Sequence, residues 1–487
     1  MTAGNILFIG AIILLIAILV TKAGSRLGVP TLLIFLLVGM FFGSDGLGFE
    51  FDNTPLTQFI GMVALSIILF SGGMDTSLKE IKPILGPGIL LSTLGVALTT
   101  VFTGFFIYLI SKSIMMSIAV SFPFALLTAA TMSSTDSASV FNILRSQRIG
   151  LKNQLRPMLE LESGSNDPMA YMLTIVLIGI LGNNDETALS IILRFFMQFS
   201  IGLTAGYLMG RLTVMLINNI NLQNTSLYPI LILPIIFIIF SVTDGLGGNG
   251  YLAVYIAGIV VGNKPLVKKK EISTFLDGMT WLFQISMFLI LGLLVNPREM
   301  LDIAPLALLV GIFMILIGRP LSVFISLLPF RRINFRSKFF ISWVGLRGAA
   351  PILFATYPII ADIEGAHLIF NIVFFITLVS LLVQGMSIPS IARTLHLTAP
   401  LPKSGNTFGI SIPEEIGSKI WELDVTENML IAGKQLKDVK LGDGILVIYI
   451  KRDEQYIIPN GSSEILKGDR LLLISHPEQE GKPEMQP

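Results

Sequence analysis

The stretch Glu162-Ser163-Gly164-Ser165-Asn166-Asp167-Pro168 decides the fold, because it puts a row of polar side chains inside an apolar segment, residues 155–181. That segment is long enough to cross the hydrocarbon core of a membrane, which takes about 20 apolar residues in a helix. A carboxylate at membrane depth is costly, and such residues usually face the interior of a helix bundle and mark an ion or proton path. Asp167 is therefore predicted to lie in a cation site.

A second polar stretch, Ser133-Ser134-Thr135-Asp136-Ser137, interrupts another apolar segment at residues 117–145. Hydroxyl and carboxylate side chains compete for backbone groups, so a break in the helix is expected here. Carbonyls and carboxylates exposed at such a break suit a cation. An alternative is an ordinary helix N-cap by Ser134 or Thr135, and both interpretations can hold together.

The composition indicates a membrane protein. Of the 487 residues, 53% are hydrophobic and only 13% are charged. The net charge of +1 offers no basic excess for nucleic acid, so no nucleic-acid partner is expected. The absence of cysteine excludes disulfides and thiolate metal sites, and the three scattered histidines do not favour a metal cofactor. No catalytic constellation is visible, so the chain is not expected to be an enzyme.

Thirteen membrane spans are predicted, and the fifth, sixth and twelfth are interrupted by polar or glycine-rich residues. They lie near 5–21, 30–44, 56–74, 83–111, 117–145, 155–181, 187–217, 226–243, 249–263, 272–296, 301–328, 337–360 and 366–392.

Basic residues predict the orientation of these spans. Every second loop is rich in lysine and arginine, whereas the opposite loops carry only Lys112 and Arg298. The positive-inside rule then puts the N-terminus outside and the C-terminus in the cytoplasm, with membrane lipids as neighbours. This arrangement requires an odd number of spans.

A weak internal repeat is present. The broken fifth span is matched seven spans later by the run Gly345-Leu346-Arg347-Gly348-Ala349-Ala350-Pro351 in the twelfth. Two units of six spans joined by a seventh must have opposite topology, and paired broken helices in inverted repeats indicate a binding site near the midplane. The fold class predicted for residues 1–398 is thus an all-α polytopic bundle of about thirteen helices.

The composition changes near residue 400. Residues 399–410 read as a linker, and 411–480 as a small cytoplasmic α+β domain. Its predicted elements are strands at Lys419–Val425, Gly444–Lys451, Gln455–Ile458 and Arg470–Ser475, with a short helix near Gly433–Val439. A domain this small would gain stability by pairing with a second copy, which favours a homodimer.

The sixth span also carries Glu162, which needs a partner if it is buried. Arg347 in the twelfth span is the predicted structural ion-pair partner, and Arg319 in the eleventh is the alternative. Pro168 should kink the helix. Gly164 removes bulk where another helix approaches.

These motifs resemble the signature of the NhaP-type monovalent cation:proton antiporters. Thr135-Asp136 in one interrupted span is followed by Glu162-Ser163-x-x-Asn166-Asp167 in the next, and the likeness covers about 390 residues. The tail, with Lys467-Gly468-Asp469-Arg470-Leu471, is similar to the TrkA-C domain of potassium-transport regulators. The combination is most like the bacterial potassium/proton antiporters of this group, which implies a location in a bacterial inner membrane.

The resemblance implies a cation site and a moving part. The site would be formed by Thr135, Asp136, Ser163, Asn166 and Asp167, braced by Glu162 and Arg347. Spans four to six and eleven to thirteen would form a mobile core, and the others a dimerisation scaffold. It also implies a small regulatory ligand, such as a nucleotide, on the cytoplasmic domain. Relatives that move sodium often have a glutamate before a Gly-Gly pair in the third span, where this chain has Ser71. This chain lacks that possible extra ligand charge, so the resemblance does not imply a preference for sodium.

The function expected from the sequence is electroneutral, elevator-like exchange of cytoplasmic K+, or alternatively Na+, for external H+. Burial penalises the charged carboxylate, so a proton should compete with the cation for Asp167. A ligand-regulated monovalent cation channel is the alternative, although no filter-like repeat is visible. A membrane-embedded hydrolase using Asp136 and Asp167 is a further alternative, but no histidine lies nearby to act as base.

Overall fold

A computed structural model describes residues 3–27, 30–49, 51, 53–113, 120–182, 188–400, 419–425, 435–438, 445–453 and 455–475. The chain divides into two compact units, Met1–Pro400 and Leu401–Pro487. The first unit is almost entirely helical. The predicted linker lies outside the described ranges from residue 401 onward, so its extent stays a prediction.

The N-terminal half of the first unit contains ten helices within the described ranges. They are α1 Ala3–Leu27, α2 Thr31–Phe42, α3 Thr54–Asp75, α4 Leu78–Ile81, α5 Leu85–Leu90, α6 Val96–Ser113, α7 Phe122–Thr131, α8 Ser137–Ser146, α9 Leu155–Gly182 and α10 Ala188–Asn219.

The C-terminal half adds another ten helices in the described part of the chain. They are α11 Leu227–Gly245, α12 Gly250–Gly262, α13 Lys269–Leu294, α14 Pro297–Phe313, α15 Arg319–Ser326, α16 Phe335–Trp343, α17 Ala349–Phe354, α18 Thr356–Ile360, α19 Ala366–Val379 and α20 Met386–Thr394.

The helices agree with a polytopic membrane protein. Eight helical segments are long and apolar enough to cross a bilayer, and five shorter apolar helices accompany them in the described ranges. Three of the long segments join two helices through a π-helical stretch, at Leu91–Gly95, Met314–Gly318 and Ser380–Gly385. The first two stretches lie in the fourth and eleventh predicted spans, which the proposed repeat pairs with each other. Whether all thirteen segments cross the bilayer stays a prediction.

The helix breaks predicted in the fifth and twelfth spans are confirmed. Helix α7 ends at Thr131 and α8 begins at Ser137, whereas α16 ends at Trp343 and α17 begins at Ala349. The predicted interruption of the sixth span is wrong, because α9 is continuous and contains Pro168. Proline removes only its own N–H from the helical ladder, and hydrogen bonds on both sides can carry the helix through it.

A short pair of strands was not predicted. Strand β1 (Ile149–Leu151) follows α8, and it pairs antiparallel with β2 (Thr398–Pro400) at the end of the first unit. Gly150 faces Ala399 in this pair, and an added Cβ would lie 2.9 Å from the Ala399 carbonyl oxygen. Residues 399 and 400, predicted to begin the linker, thus belong to a strand.

The second unit contains a four-stranded antiparallel sheet. Its strands are β3 Lys419–Asp424, β4 Ile445–Arg452, β5 Gln455–Ile457 and β6 Arg470–Ser475, in the order β3-β6-β4-β5. All four predicted strands are therefore confirmed to within two residues at each end. The predicted helix near Gly433–Val439 lies mostly outside the described residues, where only the 3-10 turn Leu436–Asp438 is seen.

Candidate cation site

The break between α7 and α8 is held by Asp136. Its side chain caps α8 by accepting hydrogen bonds from the Ser139 N–H, at 3.0 Å, and from the Ser139 hydroxyl. The predicted caps, Ser134 and Thr135, do not act in this way. An N-cap accepts donors from the first helical turn, and the residue directly before Ser137 is Asp136. Asp136 is thereby fixed with both carboxylate oxygens engaged.

Helix α9 presents its polar face to the same break. The Ser163 hydroxyl donates to the Thr135 carbonyl oxygen at 2.8 Å and accepts from the Ser137 N–H at 3.0 Å. The Asn166 amide donates to the Thr135 hydroxyl. Ser163, Asn166 and Asp167 are three or four residues apart and share one face of α9, which meets the broken fifth span.

Asp167 is joined to the break by Ser134, whose hydroxyl donates to one oxygen of the Asp167 carboxylate. The structure thus brings together all five residues of the predicted cation site: Thr135, Asp136, Ser163, Asn166 and Asp167. Ser134 was not among the predicted residues of the cation site, and its contact with Asp167 depends on a tertiary crossing that sequence spacing does not show. That these residues bind a cation stays a prediction.

The predicted Glu162–Arg347 ion pair is wrong. Glu162 instead pairs with Arg319, and both side chains are at least 98% buried. Arg319 follows the π-helical stretch Met314–Gly318 and opens α15. A buried carboxylate requires a partner, but the two candidate arginines could not be separated by spacing along the chain. The alternative partner is the one that the fold selects.

Arg347 has a different role. Its guanidinium donates to the carbonyl oxygens of Ser133, at 3.0 Å, and Ser134, and its backbone N–H donates to the Ser380 hydroxyl at 3.0 Å. The side chain is 1% exposed. A cation at the C-terminal end of a helix is favourable because the helix dipole places partial negative charge there. Arg347 therefore stabilises the end of α7 and holds the peptides that carry Ser134 and Thr135.

These contacts alter the expected role of the break. The carbonyls exposed by it were predicted to face a cation. Those of Ser133 and Ser134 accept from Arg347, and that of Thr135 accepts from Ser163. The side-chain oxygen of Asn166, in contrast, is buried and has no hydrogen-bond partner among the described residues. Side-chain oxygens are therefore better placed than the first two carbonyls to take a cation.

A cavity of about 520 Å³ reaches this site. Asp136, Ser163 and Asp167 line it, and both aspartates are partly exposed to it. Further charged groups line the same cavity, at Asp75, Arg145, Arg156, Glu160 and Asp277. The cavity therefore has room for water and for a cation beside Asp167.

Gly164 lies on the wall of this cavity beside another helix. A Cβ at this position would overlap the ring of Tyr255 on α12. The prediction that Gly164 removes bulk at a helix crossing is therefore confirmed. This crossing brings α12 to the same region of α9 as Asp167.

The comparisons with known proteins agree with this geometry. The family described as "Sodium/hydrogen exchanger, transmembrane" matches residues 11–394, and the TrkA-C domain matches residues 420–482. A protein of Alkalimonas amylolytica named K(+)/H(+) antiporter NhaP is 43% identical over 474 residues, which are 96% of this chain and 81% of that protein. One of Shewanella sp. (strain MR-4), named K(+)/H(+) antiporter NhaP2, is 40% identical over 470 residues, which are 96% of this chain and 80% of that protein.

A solved structure shows the same fold. The sodium proton antiporter MjNhaP1 from Methanocaldococcus jannaschii, determined at pH 8, is 22% identical in sequence. It superposes with a TM-score of 0.69, over 80% of this chain and 99% of that one. The chain is a multi-pass membrane protein that belongs to the sodium/hydrogen exchanger family and carries a C-terminal TrkA-C domain.

Proposed function

We propose that the chain is a secondary antiporter that exchanges cytoplasmic K+ for external H+. The observation that carries this proposal is the position of Asp167, a carboxylate at the wall of a cavity and hydrogen-bonded to Ser134. The relatives from Alkalimonas and Shewanella are named K(+)/H(+) antiporters, which favours K+ over Na+ as the cation.

The coupling follows from the chemistry of one carboxylate. The ionised form of Asp167 attracts a monovalent cation, and the protonated form does not. The Ser134 hydroxyl donates to the ionised carboxylate, and the unpartnered oxygen of Asn166 supplies a neutral ligand. K+ and H+ therefore exclude each other at Asp167, so an alternating site carries one of them in each direction. Asp136, Thr135 and Ser163 shape this site and supply further oxygens.

The proposal also covers the membrane location, the roles of the two domains, the homodimer and the moving part of the exchanger. Basic loops favour an N-terminus outside and a C-terminus in the cytoplasm. The likeness to the relatives from Shewanella and Alkalimonas favours a bacterial inner membrane, in contact with lipids. Residues 1–398 would carry transport, and residues 411–480 would regulate it by binding a small molecule such as a nucleotide. Scaffold helices and the cytoplasmic domain would form a homodimer. A mobile core of spans four to six and eleven to thirteen would carry Asp167 across the membrane in an elevator-like step.

The test is cation-dependent proton flux in proteoliposomes that contain the full chain. A K+ gradient should drive H+ movement in the opposite direction, and Asp167→Asn should abolish it while leaving the melting temperature near that of the parent. Asp302→Asn is the matched control, because Asp302 is an exposed carboxylate on α14 that does not line the cavity. Flux of K+ that neither saturates nor depends on pH would favour the channel alternative instead.

A further inference from the structure

Asn249 makes a contact next to the cation site. It ends the glycine-rich loop after α11 and caps α12, since its side-chain oxygen accepts from the Leu252 N–H at 2.9 Å. Its side-chain N–H donates to the carbonyl oxygen of Pro168 at 2.8 Å, and the whole residue is buried. Pro168 directly follows Asp167, so this one amide fixes the backbone beside the carboxylate.

Three tyrosines extend the same contact between helices. The Tyr251 and Tyr357 hydroxyls lie 3.2 Å apart. The ring of Tyr171 meets those of Tyr251 and Tyr357 edge-on, at centroid distances of 4.9 and 5.3 Å. Tyr251 is fully buried, and Tyr171 is 9% exposed. Helices α9, α12 and α18 are thus joined by aromatic packing and by a hydroxyl pair.

These contacts lie away from the cavity that reaches Asp167. Asp136 and Asp167 line the cavity, whereas Asn249 and the tyrosines at 171, 251 and 357 do not. In the predicted topology, the loop before α12 and the C-terminal end of the twelfth span are both external. Arg145 and Arg156 line the cavity and belong to the cytoplasmic connection between the fifth and sixth spans, so the cavity lies toward the cytoplasm. The Asn249 and tyrosine contacts then close the opposite, outer side.

The same contacts join the two bodies of the proposed exchanger. Helices α9 and α18 belong to the sixth and twelfth spans, in the mobile core, and α12 is the ninth span, in the scaffold. A step that turns Asp167 outward has to separate α9 from α12. It must therefore break the hydrogen bond from Asn249 to Pro168 and the contact between Tyr251 and Tyr357.

We propose that Asn249 and the Tyr251–Tyr357 hydroxyl pair form an outer closure that holds Asp167 toward the cytoplasmic cavity and is released when the site turns outward. Asn249 is then a positioning residue, acting through the backbone of Pro168. The polar atoms of the closure can be hydrated once it opens, so separating it costs less than separating an equally buried apolar seal. The inference rests on the proposed exchange of K+ for H+.

The test compares the two faces of the membrane. Asn249→Ser keeps an N-cap oxygen for α12 but removes the amide that reaches Pro168. The KM for K+ at the outer face, measured in right-side-out vesicles, should fall about fivefold, which matches the loss of one neutral hydrogen bond from the closed state. The KM at the cytoplasmic face, measured in everted vesicles, should change by less than about twofold, because the inward-facing state already dominates.

Two further variants complete the design. Tyr357→Phe removes the hydroxyl contact and keeps the ring, so it should shift the outer KM in the same direction and stands in if Asn249→Ser fails to fold. Asn218→Ser is the matched control, since Asn218 lies on α10 and its amide donates to the Pro265 carbonyl, after α12, at 3.1 Å. Both ends of that bond lie in the scaffold, so neither KM should move.

An unchanged outer KM in folded Asn249→Ser and Tyr357→Phe proteins would overturn the closure. So would an equal shift in Asn218→Ser, because the effect would then reflect loosening of the scaffold in general. Absence of any K+-dependent proton exchange in the parent would refute the proposed function itself. A parent that exchanges normally, with variants that show no difference between the two faces, would instead refute the outer closure alone.

Discussion

The backbone N–H of Asp136 donates to the carbonyl oxygen of Leu346 at 2.8 Å, so the breaks in the fifth and twelfth spans meet each other directly. Gly348 allows this approach, because an added Cβ would overlap the Asp136 side chain. Arg347 strengthens the crossing through the carbonyls of Ser133 and Ser134. The two broken spans are therefore joined directly to each other next to Asp167. A change in either break should alter the geometry of the cation site.

The first prediction concerns Glu162 and Arg319. Replacing Arg319 by methionine leaves a buried carboxylate without its partner, which should cost about 3–5 kcal/mol of stability. Adding Glu162→Gln should recover part of this loss, because the uncompensated charge is removed. Melting of the purified protein in detergent measures both effects. Equal melting temperatures of parent and Arg319→Met would contradict the pair.

The second prediction separates Arg347 from that pair. Arg347→Ala leaves the carbonyls of Ser133 and Ser134 without their donor, so the loop that presents Ser134 to Asp167 should loosen. Exchange should fall at least about tenfold, as expected when charge-assisted hydrogen bonds that position a site are lost. Adding Glu162→Gln should bring no recovery of stability or transport. A recovery like that expected for Arg319 would show that Glu162 is coupled to Arg347 instead.

Much of this architecture could be predicted from the sequence. Polar residues in apolar segments mark α9 and the break before α8, and short β-rich runs mark the strands of the C-terminal sheet. The partner of Glu162 could not be chosen, because Arg319 and Arg347 are both flanked by glycine or proline in neighbouring spans. The continuity of α9 through Pro168 depends on tertiary packing, which spacing along one chain does not encode.

The third prediction concerns Gly164. Gly164→Ala should push α12 away from α9, because its Cβ overlaps the ring of Tyr255, and overpacking of this kind costs about 1–3 kcal/mol. Gly72→Ala is the matched control, since Gly72 also lines the cavity but nothing lies within 4 Å of an added Cβ. Melting temperature and exchange rate should fall for the first variant only. A similar loss in both would indicate a general intolerance of bulk in the cavity.

The fourth prediction concerns pH and the C-terminal sheet. Asp469 is 2% exposed and pairs with Arg452 at 2.8 Å. Burial raises the pKa of Asp469, but hydrogen bonds from Arg452 and from the Leu466 N–H outweigh it and hold the pKa below the ordinary value of 3.8. A carboxyl whose folded pKa is depressed stabilises the domain above the unfolded pKa, and this stability is lost as the pH falls through the folded pKa.

Limited digestion with pepsin, which is active in acid, measures this loss. Cleavage within residues 445–475 of the full chain should increase as the pH falls below about 4, the unfolded value for aspartate. Asp469→Asn should be cleaved faster than the parent above that pH, and its cleavage should depend less on pH below it. Identical pH profiles for the two proteins would show that Asp469 does not supply the stability.

The last prediction concerns the charge moved in each cycle. Both Asp136 oxygens accept hydrogen bonds from Ser139. One-for-one exchange requires Asp136 to keep one protonation state, ionised or protonated, while Asp167 alternates between K+ and H+. One cation then exchanges for one proton, and the membrane potential, worth about 2.3 kcal/mol per charge per 100 mV, contributes nothing.

Asn166→Asp adds a second carboxylate, and the Thr135 hydroxyl that accepts from Asn166 can turn to donate to it. That variant should carry two protons against one cation, so currents recorded on a solid-supported membrane should be absent in the parent and sustained in Asn166→Asp. Sustained currents in the parent that reverse with the gradients would defeat the one-for-one exchange.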